Sequence, residues 1–341
     1  MRRAVVVDVE LVKLLLKHKR VEVNAIDEEG RTAFSFASQA GSKELVESLL
    51  KDKRVDVHAV NNDGVNALHW ASSSGQEEIV ELLLKDGRIK VNAKDNDGAN
   101  ALHWAGNSGQ EEIVELLLKD GRIKINAKDN DGANALIWAS KNNHIIGHQK
   151  VVKALLKDDE MEVNAKDNQG RTALIWASCC GRKDVVKLLL KDDRTDVNAI
   201  NEEGRTALIE VSRNGAKRRR GVVGILLKNK RVKVNAKDSG DRSAFFWVNY
   251  LGTPDTIRMF LKHKELNKNA AGGALGNTAL MWACLRGQDD IVSELLAFPM
   301  VDVRVKNKAG ATALDIAREL QMLEIARLLE ARAESDRRRD P

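Results

Sequence analysis

An all-α solenoid of short stacked repeats is the fold class this sequence predicts, and three observations carry it. A glycine recurs at Gly30, Gly64, Gly98, Gly132, Gly170, Gly204, Gly276 and Gly310, mostly at 34-residue intervals, with Asp241 where a further copy would place it. Between these glycines the same order of apolar and polar residues returns. Each stretch is also too short to bury its own apolar face, so its neighbours must cover it.

The copy from Asp95 to Lys128 shows how one repeat is built. Asn100 is placed to cap a first helix of about two turns whose body is Ala101 to Ala105. Glu111 and Glu112 open a second helix at its positive end, and Ile113, Leu116 and Leu117 share one face of it at i, i+3 and i+4. Lys119 closes that helix, four residues after Glu115. From Arg122 to Gly132 the character alternates and ends on Asp-Gly, which predicts a hairpin-like finger between helix pairs.

On these residues the chain resembles the ankyrin repeats, whose signature is a β-turn, two antiparallel helices and a T-P-L-H-x-A box. Thr172-Ala173-Leu174-Ile175-Trp176-Ala177 is similar to that box, and Val163-Asn164-Ala165-Lys166-Asp167 is similar to the family's finger. Alanine replaces the box proline throughout, and the box histidine remains only at His69 and His103, where the resemblance implies a structural role. Asn24, Asn92, Asn126, Asn164, Asn198 and Asn235 resemble finger asparagines that are hydroxylated in some members, although their structural role accounts for them without modification. The resemblance implies about nine stacked ankyrin repeats, each a helix-turn-helix plus finger, after a partial N-terminal unit.

That division gives a partial N-terminal capping repeat over residues 1–26, in which Leu11, Leu14 and Leu15 fit a second helix, and repeats over 27–306. A solvated C-terminal capping repeat follows over 307–333, and residues 334–341 form a charged basic tail expected to be disordered. Two repeats carry insertions between their helices, at residues 141–150 and 214–221, where a stacked core tolerates them. The repeat from about Asp238 is the most divergent, and a local change in stacking is expected there.

Composition excludes more than it assigns. With 43% hydrophobic and 31% charged residues the chain can bury a long core, and no 18-residue apolar run predicts a membrane span. A soluble intracellular protein is expected, cytoplasmic with nuclear entry open. Three cysteines without metal or framework spacing fit a reducing compartment. Short clusters at Arg2-Arg3, Lys217 to Arg220 and Arg337 to Arg339 hold nine positive charges, more than the whole net charge of +6, so the repeats themselves are not a basic surface. No phosphate loop, nucleophile elbow or zinc-protease motif occurs, and repeats fill the chain, so neither an enzyme nor a cofactor site is expected.

The candidate site is a row of tryptophans. Trp70, Trp104, Trp138, Trp176, Trp247 and Trp282 occupy one position of six repeats, with Phe36, Glu210 and Ile316 there in three others. Helical geometry puts this position on the flank of the buried stripe, half covered. The family resemblance places it along a concave groove, with rings about 8 to 10 Å apart, the spacing of packed helices. Their neighbours Ser35, Ile137, Ile175, Ile209 and Met281, together with varying finger tips, complete the expected partner surface. The same indoles serve equally as packing between repeats.

A non-catalytic scaffold for a partner protein or extended peptide is the reading this supports. The alternative is a short oligonucleotide, such as an oligoadenylate, held by Trp faces and by the basic loop Lys217, Arg218, Arg219 and Arg220. The partial N-terminal repeat leaves an edge open to self-association. His144 and His148 stand four residues apart and would share a helical face, but no acidic or cysteine partner accompanies them, so no metal is assigned. Cys179-Cys180 lacks a matched histidine and reads as two small side chains.

Overall fold

The computed structural model describes residues 9–141, 147–215, 219–251 and 254–339. A lone helix, α1 (Val9–Leu16), precedes nine helix pairs. In the first compact block, Met1–Asn168, these are α2 (Ala33–Ala40) with α3 (Lys43–Lys51), α4 (Ala67–Ser74) with α5 (Glu77–Lys85), α6 (Ala101–Ser108) with α7 (Glu111–Asp120), and α8 (Ala135–Lys141) with α9 (Gly147–Leu156). The second block, Gln169–Pro341, holds the other five. They are α10 (Ala173–Cys179) with α11 (Lys183–Lys191), α12 (Ala207–Arg213) with α13 (Arg220–Lys228), α14 (Ala244–Leu251) with α15 (Pro254–Leu261), α16 (Ala279–Leu285) with α17 (Asp289–Leu296), and α18 (Ala313–Glu319) with α19 (Leu323–Arg339). Within each block first helices stack on first helices and second on second. The fingers contain only isolated bridges among the described residues, such as Ile26 with Thr32.

Each helix pair is seeded by the residues the sequence singles out. Asn100 accepts the N–H groups of Leu102 and His103 through its side chain, capping α6. Ile113, Val114 and Leu117 are wholly buried on the inner face of α7. The box histidines close the cap from the other side. His69 Nδ1 accepts the Asn66 backbone N–H at 3.2 Å, while Nε2 lies 3.1 Å from the Ala99 carbonyl, which places the ring proton on Nε2. Burial pushes the pKa of both His69 and His103 below the ordinary value, so both are held neutral.

The recurring finger glycine is explained by a close approach. At Gly98 (φ 77°) an added Cβ would stand 2.9 Å from the backbone nitrogen of Asn130 in the next finger. That nitrogen donates to the Asp97 carbonyl at 2.8 Å, so the two fingers are joined through the crowded spot. Asp241 keeps the left-handed backbone (φ 59°) without being glycine. The chain answers with Gly272 and Gly273 opposite it, where a Cβ on Gly272 would meet the Asp241 carbonyl at 2.8 Å. This is the local change in the divergent repeat.

Two further devices repeat along each block. The finger asparagine donates to one backbone carbonyl of the next finger and accepts a backbone N–H two residues beyond, as Asn92 does with Arg122 and Lys124 at 2.8 and 2.7 Å. Asn24, Asn126, Asn198 and Asn235 do the same, and so does Asn269, whose Asn-Ala dipeptide marks the position in the rewritten finger. His58 stands in this place in the repeat beginning at Asp27. The two ring nitrogens of an imidazole point in different directions and cannot reproduce the amide's paired bond.

The second device is an Asp-x-Arg clamp. Arg54, Arg88 and Arg122 donate to the carbonyls of Leu16, Leu50 and Leu84 at the end of the preceding second helix, and Arg231, with Asn229 in place of the aspartate, does so to Leu190. There a cation also meets the negative end of the helix dipole. Asp52, Asp86 and Asp120 fix the guanidinium, and side-chain hydrogen bonds from Arg54, Arg88 and Arg122 hold their carboxyls below the usual range.

The two ends are built differently. Leu11, Leu14 and Leu15 belong to a second-helix position, α1, packed beside α3, but remain exposed. Residues 334–339, expected to be disordered, instead extend α19 to Arg339. Arg332 anchors this helix by bonding Asp336 one turn on and the carbonyls of Leu296 and Pro299.

Acid should unfold the protein in two separable windows. The buried imidazoles have depressed pKa values, so the unfolded chain takes up protons first and stability falls as pH drops below about 6.5. The clamped carboxylates, also depressed, contribute fully above about pH 4 and lose that contribution as pH falls further. His69→Ile with His103→Ile is expected to flatten the first limb of a melting-temperature profile, and Arg88→Leu with Arg122→Leu the second. Separately, His58→Asn, by supplying the missing amide clip, is expected to raise stability in denaturant titration by about 1 kcal/mol.

Candidate functional site

Three members of the tryptophan row, Trp104, Trp138 and Trp247, are tied to a carboxylate nine residues upstream, a link the sequence reading missed. Asp95 Oδ1 accepts the backbone N–H groups of Asp97 and Ala99 and so folds the finger turn. Its Oδ2 accepts the indole N–H of Trp104 at 2.7 Å. Asp129 does the same for Ala133 and Trp138, at 2.6 Å to the indole, and Asp238 reaches Trp247 at 3.4 Å. One side chain thus joins finger to first helix. The signal lay in the sequence as an aspartate and a tryptophan at constant separation.

Substitutions at either position show the same chemistry. Asn61 folds its turn through Oδ1 but offers no second acceptor, and the buried indole N–H of Trp70 has no hydrogen-bond partner. Trp282, with Gly273 nine residues upstream, is left in the same condition. At Glu210 the pair is inverted, with Asn201 Nδ2 donating to Glu210 Oε1 at 2.9 Å.

In the first block Trp70, Trp104 and Trp138 are half-buried, with Phe36 41% exposed at the head of the series. Small polar residues, Ser73 and Ser108 among them, flank the rings and bond to each other at 2.9 Å. Trp70 and Trp104 meet edge to face with centroids 5.8 Å apart, closer than the expected 8 to 10 Å. The expectation took the spacing of helix axes, whereas the rings lean across the gap and the favourable quadrupole contact holds them there.

In the second block the rings carry arginines. The guanidinium of Arg171 lies 3.8 Å from the Trp176 ring centroid, Arg242 4.7 Å from Trp247, and Arg286 4.5 Å from Tyr250. Trp247 is buried, and Phe246, Tyr250 and Trp282 pack around it and each other, Phe246 and Tyr250 each 5.6 Å from Trp282. Phe246 and Tyr250 were not singled out from sequence.

Where the ladder lacks a ring, at Glu210, the second block opens a cleft of about 480 Å³. Arg171, Trp176, Arg205, Glu210, Arg213 and Asn214 line it. Glu210 and Arg205 are buried with side chains only 6% and 7% exposed, and Arg205 approaches Glu210 at 3.5 Å and Asp238 at 3.6 Å while also pairing with Glu203. Cys179 borders the cleft, and burial, then the Glu210 charge, push its thiol up to about 12, which leaves it a poor nucleophile.

Several sequence-selected residues sit elsewhere than expected. Ile137, Ile175, Ile209 and Met281 are each only 1% exposed and Ser35 4%, so they face the stack and present no surface to a partner. Of the basic loop, Lys217 and Arg218 lie outside the described residues, while Arg219 bonds the Asn214 carbonyl and Arg220 pairs with Asp255. His144 also lies outside them, and His148 is buried with Nε2 2.8 Å from the Asn107 carbonyl. Among the described residues no helix is long and apolar enough to cross a membrane.

Stacked helix pairs with finger turns and a half-exposed face on the first helices define a helical repeat protein. The profile described as "Ankyrin repeats (3 copies)" matches residues 3–95, 88–167, 123–201, 146–238 and 244–339, and the chain belongs to the ankyrin repeat family. Ankyrin repeats generally mediate protein–protein interaction and are typically non-catalytic. Among curated proteins the chain is similar to Inversin-B of Xenopus laevis, 40% identical over 65 residues. That match covers 19% of this chain and 6% of Inversin-B.

The carboxylate link can be tested in both directions. Asn61→Asp supplies an acceptor for the Trp70 N–H and is expected to stabilise the fold by about 1 kcal/mol. Asp95→Asn removes one from Trp104 and is expected to cost roughly 1–3 kcal/mol, both read by equilibrium unfolding.

Proposed function

We propose that this protein is a non-catalytic scaffold that binds a partner protein, or an extended segment of one, over the ring-bearing faces of its first helices and the adjoining finger tips. The observation that carries this reading is the row Trp70, Trp104 and Trp138, half-exposed and, at Trp104 and Trp138, locked by a carboxylate. Rings already fixed lose little conformational freedom on binding, so their buried area converts more fully into affinity. An extended peptide advances about 3.3 Å per residue, so alternate side chains on one face repeat at about 6.6 Å. That is close to the 5.8 Å between Trp70 and Trp104.

A base-stacking ligand is less well served. Where arginines lie over rings, as at Trp176, a base would have to displace the guanidinium, and edge-to-face indoles do not present parallel faces. Cytoplasmic residence, with nuclear entry, accompanies the proposal.

Capture of partners from source-cell lysate, with and without nuclease, tests it. A folded Trp104→Ala, Trp138→Ala variant is expected to lose a nuclease-resistant protein partner, with at least about 2 kcal/mol of affinity lost if either ring is a hot spot. Full retention of that partner, or capture that vanishes with nuclease, would reject the reading.

A further inference from the structure

We infer that the cleft at Glu210 is a receiving pocket for an aromatic side chain carrying an N–H or O–H donor, an indole or phenol presented by a protein partner. The inference rests on the protein-binding reading and names what one place in the second block recognises. In this block a ring of the chain itself is held with a guanidinium on its face and, at Trp247, a carboxylate at its N–H. At Glu210 the ring is absent and a buried carboxylate remains, while Arg171 and Arg213 in the cleft wall already lie over Trp176 at 3.8 Å and Trp247 at 5.6 Å.

The carboxylate has capacity left. Glu210 Oε1 accepts from Asn201 at 2.9 Å and Oε2 from Asn214 at 2.7 Å, with Arg205 further off at 3.5 Å. An ionised carboxylate offers about four acceptor sites, so a guest N–H or O–H can be taken up as Asp95 takes up Trp104. The edge of the Trp176 ring and the cleft volume of about 480 Å³ leave room for a bicyclic guest, within the range of roughly 300–1,000 Å³ usual for ligand sites.

Charge balance selects a neutral guest. The lining residues carry three arginines, Arg171, Arg205 and Arg213, against three glutamates, Glu202, Glu203 and Glu210. Arg205 is committed to Glu203, Glu210 and Asp238. A cationic or anionic guest would lose its hydration without a net attraction to offset it. A neutral ring gains burial and a charge-assisted hydrogen bond.

The probe is N-acetyl-5-fluorotryptophanamide, titrated against the full chain and followed by fluorine NMR, which the protein's own tryptophans do not obscure. Saturable binding is expected, with affinity at least about fivefold lower for Asn201→Asp/Glu210→Trp, which fills the gap with the pair found at Asp95 and Trp104. Glu210→Gln, which keeps the shape and removes the charge, is expected to weaken the probe about threefold, and Trp104→Ala in the other block to leave it unchanged. The inference is overturned by no saturable binding, by equal binding to the filled variant when its melting profile shows it folded, or by stronger displacement with N-acetylargininamide or inorganic phosphate than with N-acetyltyrosinamide. Loss of the probe in Trp104→Ala would also overturn the pocket while leaving the scaffold reading intact. Normal probe behaviour with partner capture insensitive to Trp104 and Trp138 would reject the ring row and keep the pocket.

Discussion

A single carboxylate connects finger to first helix in the repeats of Asp95, Asp129 and Asp238. One oxygen of Asp95 or Asp129 bends the finger and the other holds the indole of the first helix that follows. The finger is therefore not an independent hairpin. Its turn, its tryptophan and the open face of the helix are positioned together, because moving the carboxylate breaks all three.

The chain varies that connection in ways that keep its logic. Where aspartate becomes Asn61 the turn survives and the indole loses its partner. Where Trp becomes Glu210, aspartate becomes Asn201, so donor and acceptor change sides and the bond persists. The second exchange replaces a bulky ring by a smaller charged group, and the space released is the cleft in the second block. A packing device has thereby been converted into a shaped, polar recess without disturbing the turn that supports it.

Much of this was legible in the sequence. The glycine period fixed the register, the Asn100 cap and the Ile113 and Leu117 face placed both helices, and the exceptional Asp241 kept the backbone its position demanded. What failed were inferences made from one helix alone. Ile137, Ile175 and Met281 adjoin the tryptophans in sequence and were expected at the surface, but a first helix is covered by its own second helix and by neighbouring first helices. Only the side bearing the ring is left open. The ring spacing was misjudged for a similar reason, since helix axes set where side chains begin and not where they lean. The tail was read from composition, whereas Arg332 supplies the anchor that composition does not count.

The finger amides have a mechanical consequence. Bonds across one junction share a load in parallel, while successive junctions bear it in series, so a stretched block yields where a junction has fewest ties. In the first block the joint after His58 lacks one tie, the two-point amide latch that Asn24, Asn92 and Asn126 provide at theirs. Under tension the joint between the repeats beginning at Asp27 and Asn61 therefore carries its load through fewer bonds than its latched neighbours, while the joints between Trp70, Trp104 and Trp138 keep theirs.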